Sequence, residues 1–281
     1  MGRFMRALAA FLYCALFGLG GAAPASAQQV DVELVFLADS SGSIDAGENA
    51  FQRMGHAEAL SHPDVLNAIR QGILGRIAVT YVEWGNSANQ DVVVPWTIID
   101  GKATAEAFGA ALKAAPRRAF GYNAIGSALQ KGHQLIKGNA IEGMRRVMDL
   151  SGDSANSWDG IGIETARAAA VADGIVINGL PILCREGECG GRPVGYDLEK
   201  AFEEKIIGGP GAFVVTAETR EAFEFAVRRK LILEISGLTP AGPVRGARRL
   251  AEGERRSCPE AWCSWLGLAS MLGRPGHISL P

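Results

Sequence analysis

The segment V-F-L-A-D-S-S-G-S, Val35 to Ser43, ends an apolar run in three small oxygen-bearing side chains. Asp39, Ser41 and Ser43 alternate, and in locally extended backbone alternate side chains face one way. A carboxylate with two hydroxyls is a hard oxygen set, suited to Mg²⁺ or to Mn²⁺ and Ca²⁺. No histidine or thiol accompanies it, so a softer metal is not expected. The purely structural alternative has Ser41 and Ser43 capping the following turn and Asp39 satisfying backbone amides.

Two further segments can serve the same place. Arg145 to Leu150 reads as a strand, and Ser151-Gly152-Asp153 follows it. The loop Gly121-Tyr122-Asn123 comes just before a helical segment. In an open parallel sheet, ligands bind beyond the carboxyl ends of the strands. Asp39 and Asp153 each sit just past such an end, and Asn123 is within reach of the same rim. Asp45, Asn156 and Asp159 lie on nearby loops, where ordinary surface roles are the alternative.

The elements that would position these residues follow from periodicity. Val32 to Ala38 is apolar on both faces, as a central parallel strand requires. Arg76 to Trp84 and Asp91 to Ile99 read as strands joined in a hairpin, with Pro95 marking an edge. Gly174 to Leu183 and Gly211 to Thr216 are further strands. Helices are predicted over 45–60, 104–115, 125–137, 161–172, 197–207 and 218–235. In the first, Ala50, Met54, Ala57 and Leu60 form the apolar stripe, and His62-Pro63 ends it. Strands alternating with helices predict a three-layer α/β/α sandwich, with a mostly parallel central sheet and one antiparallel edge strand.

The segment D-S-S-G-S after a buried strand resembles the D-x-S-x-S signature of the von Willebrand factor A family. G-Y-N-A-I-G-S-A-L (Gly121 to Leu129) and V-M-D-L-S-G-D-S (Val147 to Ser154) resemble that family's later site segments, in the same order. V-T-Y-V-E-W, I-N-G-L-P-I and G-G-P-G-A-F are similar to a secreted bacterial branch whose domain has no assigned function. The resemblance implies a Rossmann-like fold and a metal-ion-dependent adhesion site. In it Ser41 and Ser43 bind the ion directly, and Asp39 and Asp153 act through water or from behind. Asn123 stands where the family has threonine, and Ser154 where it has glycine. The implied partner is a protein presenting an acidic side chain to the ion.

The whole chain fits that reading. It has 281 residues, 28 Lys plus Arg against 30 Asp plus Glu, and 48% hydrophobic residues. A chain slightly acidic overall does not suggest a nucleic-acid surface. Residues 1–27 read as a secretory leader, with Arg3 and Arg6 before an apolar run and Ala25-Ser26-Ala27 at the cleavage point. A secreted or periplasmic protein is expected, with one domain over 30–238 and no stable membrane span. The Gly/Pro/Arg-rich tail, 239–281, is expected to be poorly ordered. Cys184, Cys189, Cys258 and Cys263 remain after the leader, and an even count in a secreted chain favours disulfides. Two local pairs are the simplest of three connectivities; a zinc site is the rival.

Enzyme readings are weaker. A phosphoryl-transfer enzyme with aspartate after strand one wants a second aspartate where Ser41 stands. No G-x-S-x-G elbow or Walker-type loop is present. His56 and His133 fall on predicted helices as surface or core-edge residues. A metal-activated hydrolase and a metal-free scaffold stay as alternatives. For a scaffold, Glu83, Trp84 and Trp158 are candidate contact residues, with partial burial the alternative for Trp84.

Overall fold

The computed structural model describes residues 27–183, 194–240 and 244–245. Strand β1 (Gln28–Asp39) is buried from Val30 to its end. It lies between β2 (Ile77–Trp84) and β4 (Ile141–Gly152), parallel to both. Strand β3 (Gln90–Ile99) runs antiparallel to β2 at one edge, and β5 (Val176–Pro181) runs parallel to β4. The order is β3-β2-β1-β4-β5. Beyond β5, bridges Gly179↔Val214 and Ile182↔Ala217 bring in β6 (Val215–Thr216), which pairs with β7 (Val244–Arg245). Pro95 is exposed on the edge strand, where no neighbour asks for its missing N–H.

Seven helices are described, and they divide between the two faces of the sheet. Helices α1 (Ala46–Ser61), α2 (Pro63–Arg70), α3 (Lys102–Ala114) and α7 (Arg220–Ser236) share a core with Leu34 and Phe36. Helices α4 (Ile125–Lys137), α5 (Ile163–Ala172) and α6 (Leu198–Lys205) share one with Val35 and Leu37. Alternate residues of β1 thus feed opposite cores, which is why that strand reads as a continuous apolar run. The predicted three-layer α/β/α sandwich, with its mostly parallel sheet and antiparallel edge strand, is the observed one.

Helix α1 departs from its apolar stripe. Ala50 and Met54 are exposed, and the buried face carries Asn49, Gln52, Arg53 and His56. These side chains answer buried polar groups of the sheet. Arg53 grips Glu83 through Nε at 2.6 Å and Nη2 at 2.8 Å, and Asn49 donates to the same carboxylate at 2.7 Å. Glu83 and Trp84 are therefore core residues and not contact residues; Trp84 Nε1 donates to the Leu37 carbonyl at 3.2 Å. His56 is likewise a core residue, edge-on to Phe36, Tyr81 and Phe223. The His62-Pro63 break also starts a helix: His62 caps α2 by accepting from Asp64 N, with Pro63 at the first position.

A row of buried side chains, polar but for Phe36, crosses the same face of the sheet. Tyr81, Phe36, Asp149 and Asn178 sit side by side on β2, β1, β4 and β5. The fully buried Lys230 of α7 reaches Asp149 at 2.7 Å and also bonds Glu234, whose carboxylate accepts from Asn178 at 2.9 Å. Burial pushes Glu234 up to about 7 from its ordinary 4.5, with Asp149 reinforcing and Lys230 opposing. The folded state keeps a proton that the unfolded chain releases, so Glu234 makes stability fall as pH rises between those values. Urea unfolding of Glu234→Gln should show a shallower decline from pH 4.5 to 7 than wild type; an identical decline would assign the proton elsewhere. Lys230→Ala should cost about 3–5 kcal/mol, because it strands two buried acids.

Candidate functional site

Strands β1 and β4 are parallel neighbours, so their carboxyl ends arrive together, with Ala38 beside Ser151. Asp39 closes β1, and Asp153 follows Gly152, the last residue of β4. Glycine at 152 leaves room for the first carboxylate, since a Cβ there would lie 3.1 Å from Asp39 Oδ2. After Asp39 the chain turns sharply: Ser41 N donates to Asp39 Oδ1 at 2.8 Å, and Ile44 N to the Ser41 carbonyl at 3.1 Å. This brings Ser41 Oγ to 3.3 Å from Ser43 Oγ, which donates to Asp153 Oδ1 at 3.1 Å. Asp39 and Ser41 are buried while Ser43 is exposed, so the cluster opens to solvent at Ser43.

The third loop is tied in by backbone. Gly42 N donates to the Gly121 carbonyl at 2.7 Å. Gly121 has φ +101°, and a Cβ there would lie 2.7 Å from Asn86 Nδ2, so glycine is required on two counts. Asn123, two residues on, accepts from Trp158 N at 2.8 Å through its carbonyl. No hydrogen bond joins its side chain to Asp39, Ser41, Ser43 or Asp153. The structure thus gathers four of the five sequence candidates and places the fifth on an adjoining loop. Asp45 instead caps α1 in a reciprocal box with Glu48, both bonds 2.8 Å. Asp159 accepts from Ser87 N and Oγ, and Asn156 lines a surface cavity of about 580 Å³ with Trp158 and Lys205. The four cysteines assigned to disulfides lie outside the described residues.

The electrostatics of the cluster are unbalanced. Burial, and then the charge of Asp153, push Asp39 up to about 8 from 3.8. Burial also raises Asp153, with Glu48 adding to it against the Ser43 hydrogen bond. Asp39 Oδ2 is buried and has no hydrogen-bond partner. Two acids meet here with hydroxyls and few amides for company, an arrangement that a proton or a cation relieves. The donor set fits a hard dication: Ser41 and Ser43 oxygens with carboxylates behind them. Among the described residues, no group of three or more His, Cys, Asp and Glu side chains converges to hold a metal ion.

Two contributors escaped sequence reading. Tyr196 OH accepts from Ala155 N at 2.9 Å and bonds Ser154 Oγ at 3.4 Å, steadying the Asp153 loop. Arg117 packs under the D-S-S-G-S loop and donates to its main chain. Neither follows a sequence pattern, because their partners are mostly backbone atoms.

Asp39 gives a test without metal. The folded protein holds a proton that the unfolded chain gives up above about 4, so this group costs stability as pH rises toward about 8. In chelator, thermal or urea unfolding of Asp39→Asn should gain on wild type over that window by more than about 1 kcal/mol. A constant difference across the window would show that Asp39 is ionised throughout.

The family profile described as "Protein of unknown function (DUF1194)" matches residues 29–239. Among curated proteins none matches. Solved structures that are similar include the pilus adhesin SpaC from Lactobacillus rhamnosus GG, with TM-score 0.52, 14% identity, and 75% of this chain against 32% of that one. Proximal thread matrix protein 1 from the mussel byssus aligns with TM-score 0.51 and 17% identity over 75% of this chain and 47% of that one. A von Willebrand factor type A structure from Catenulispora acidiphila aligns at 0.48 and 15%, over 74% and 43%. The mussel protein has also been solved with a zinc-occupied MIDAS motif. This chain spans a third to a half of the lengths of these proteins, and at such identities the likeness concerns the fold. Residues 29–239 carry the family match, so the chain belongs to the DUF1194 family, and its β3-β2-β1-β4-β5 sheet between helices has a fold similar to that of the SpaC and byssus-protein structures.

Proposed function

We propose that the chain is a secreted, non-catalytic binding module that captures an acidic side chain of a partner protein through a divalent cation. Ser41 and Ser43 are its direct ligands, Asp39 and Asp153 support it through water or hydrogen bonds, and Asn123 completes the set from the adjoining loop. Mg²⁺ is the first choice, with Mn²⁺ or Ca²⁺ as alternatives. One observation carries the reading: the Ser41, Ser43 and Asp153 oxygens lie in a chain of 3.1–3.3 Å contacts beside the buried, partnerless Asp39 Oδ2.

A bound dication would supply an electrophilic position open to an anionic oxygen. The chain's own residues would do the rest. Neutral hydroxyls as direct ligands leave more of the ion's charge available to an incoming carboxylate. Around the opening stand exposed aromatics: Phe120 and Tyr122 flank Gly121, and Trp158 is 72% exposed. Trp and Tyr at such a rim suit protein contact, where aromatic side chains dominate binding energy.

Placement of the histidines favours binding over catalysis. His56 is in the core, His62 caps α2, and His133 pairs with Asp173 at 2.7 Å on α4. Among the described residues, none of these three histidines is bonded to the cluster. Among the described residues, no helix is long and apolar enough to cross a membrane. Calorimetric titration with Mg²⁺ and Mn²⁺ should give saturable heat in wild type and none in Ser41→Ala/Ser43→Ala. Heat that survives the double substitution would exclude the proposed ligands, and a wild type that takes up neither ion would end the cation reading.

A further inference from the structure

Arg117 spends its guanidinium on one loop. Nε donates to Ser40 Oγ at 2.8 Å. The two hydrogens of Nη2 go to the carbonyls of Ser40 at 2.8 Å and Ile44 at 2.9 Å, one of them shared with the Ser41 carbonyl at 3.3 Å. All four acceptors belong to the segment 40–44, which carries both Ser41 and Ser43. The guanidinium carbon lies 4.9 Å from the centre of the Phe120 ring, within cation–π range, so the arginine is itself held in place. Ser40 Oγ passes the connection back, donating to the Ala119 carbonyl at 3.0 Å.

This geometry has a consequence for the serines. Three carbonyls turned toward one cation fix the peptide planes of the loop, and with them the directions of the side chains between. Ser41 N is thereby turned toward Asp39 Oδ1 at 2.8 Å, and the two hydroxyls meet at 3.3 Å. Without the guanidinium, these carbonyls lose a shared charged donor, and the loop is free to seek water or other partners. A lysine cannot reproduce the set, since Ser40 Oγ is served by Nε and the carbonyls by Nη2, two nitrogens held in one plane that a single ammonium on a flexible stem does not supply.

We infer that Arg117 is a positioning residue that pre-sets the Ser41–Ser43 loop for its cation, an inference that rests on the cation-binding reading above. It deepens that reading by naming what holds the two hydroxyls together before anything binds. Groups that orient metal ligands from behind typically affect affinity by about 10–100-fold, and that is the scale expected here.

The test uses the full mature chain, with Mn²⁺ as the probe, in wild type, Arg117→Gln and Arg117→Lys. Mn²⁺ affinity is read by electron paramagnetic resonance. Amide hydrogen exchange of residues 41–44 is read separately in chelator. Both variants should bind Mn²⁺ about 10–100-fold more weakly, lysine recovering little of the loss. Their 41–44 amides should exchange at least about tenfold faster without metal, while amides of β1 and β4 stay protected. Should Arg117→Gln fail to fold, Arg117→Lys carries the same comparison. Unchanged affinity in the variants overturns the positioning role alone, as does weakened affinity with unchanged 41–44 exchange. A wild type that binds no Mn²⁺ overturns the cation reading and this role with it, and that outcome is seen before any variant is compared.

Discussion

Two carboxylates delivered to one buried spot by neighbouring parallel strands are the constraint around which this end of the molecule is organised. Parallel pairing of β1 and β4 leaves Asp39 and Asp153 no choice but to meet. Other buried acids among the described residues sit with a cationic side chain or with amides. Glu83 has Arg53, Asp149 and Glu234 share Lys230, Asp31 takes the amides of Leu74 and Arg76, and Glu33 takes Gly143 N and Asn139. Asp39 has one amide on one oxygen and nothing on the other. Arg117, from the adjoining loop, is turned to the Ser40, Ser41 and Ile44 carbonyls. A buried pair of acids with no cationic side chain bonded to it is a place for a proton or a cation.

Much of the architecture was legible because it rests on apolar periodicity. The strand at 32–38 was apolar on both faces, and it is the central strand with a core on each side. The helix at 125–137 was bounded correctly, its apolar period intact. Where burial is polar, the same logic misled. Helix α1 hides Asn49 and Arg53 because β2 carries a buried Glu83, and Gln52 because it donates to the Asp39 carbonyl; only the fold reveals that a glutamate in V-E-W points inward. Trp84 was underestimated for the same reason: its ring fills space that a strand end would ordinarily leave open.

The candidate site divides along similar lines. Asp39, Ser41 and Ser43 could be grouped from sequence because their spacing is local. Asp153 could be added because it also follows a strand, and the sheet order brings the two together. Asn123 lies on a loop beside the cluster, and what fastens that loop is backbone: Gly42 N to the Gly121 carbonyl and Trp158 N to the Asn123 carbonyl. Arg117 and Tyr196 were invisible for this reason. A side chain that serves main-chain atoms leaves no complementary residue type in the sequence to announce it.

That reliance on backbone links bears on how the rim would act as a unit. The loops 40–44, 116–124 and 153–158 are joined by direct hydrogen bonds, with Arg117 crossing from the second to the first. Hydrogen bonds fix distance and direction more sharply than apolar contact does. The exposed rings of Phe120, Tyr122 and Trp158 are therefore carried on the same tied framework as the Ser41 and Ser43 hydroxyls. In the proposed role, a partner would meet one polar point set among aromatic surfaces at fixed spacing. Contact area on the rings would supply affinity, and the single polar point would supply register, since an anion displaced from it gains nothing from the cluster. Rigidity between the two is what lets a small site discriminate, because a partner cannot satisfy one by sacrificing the other.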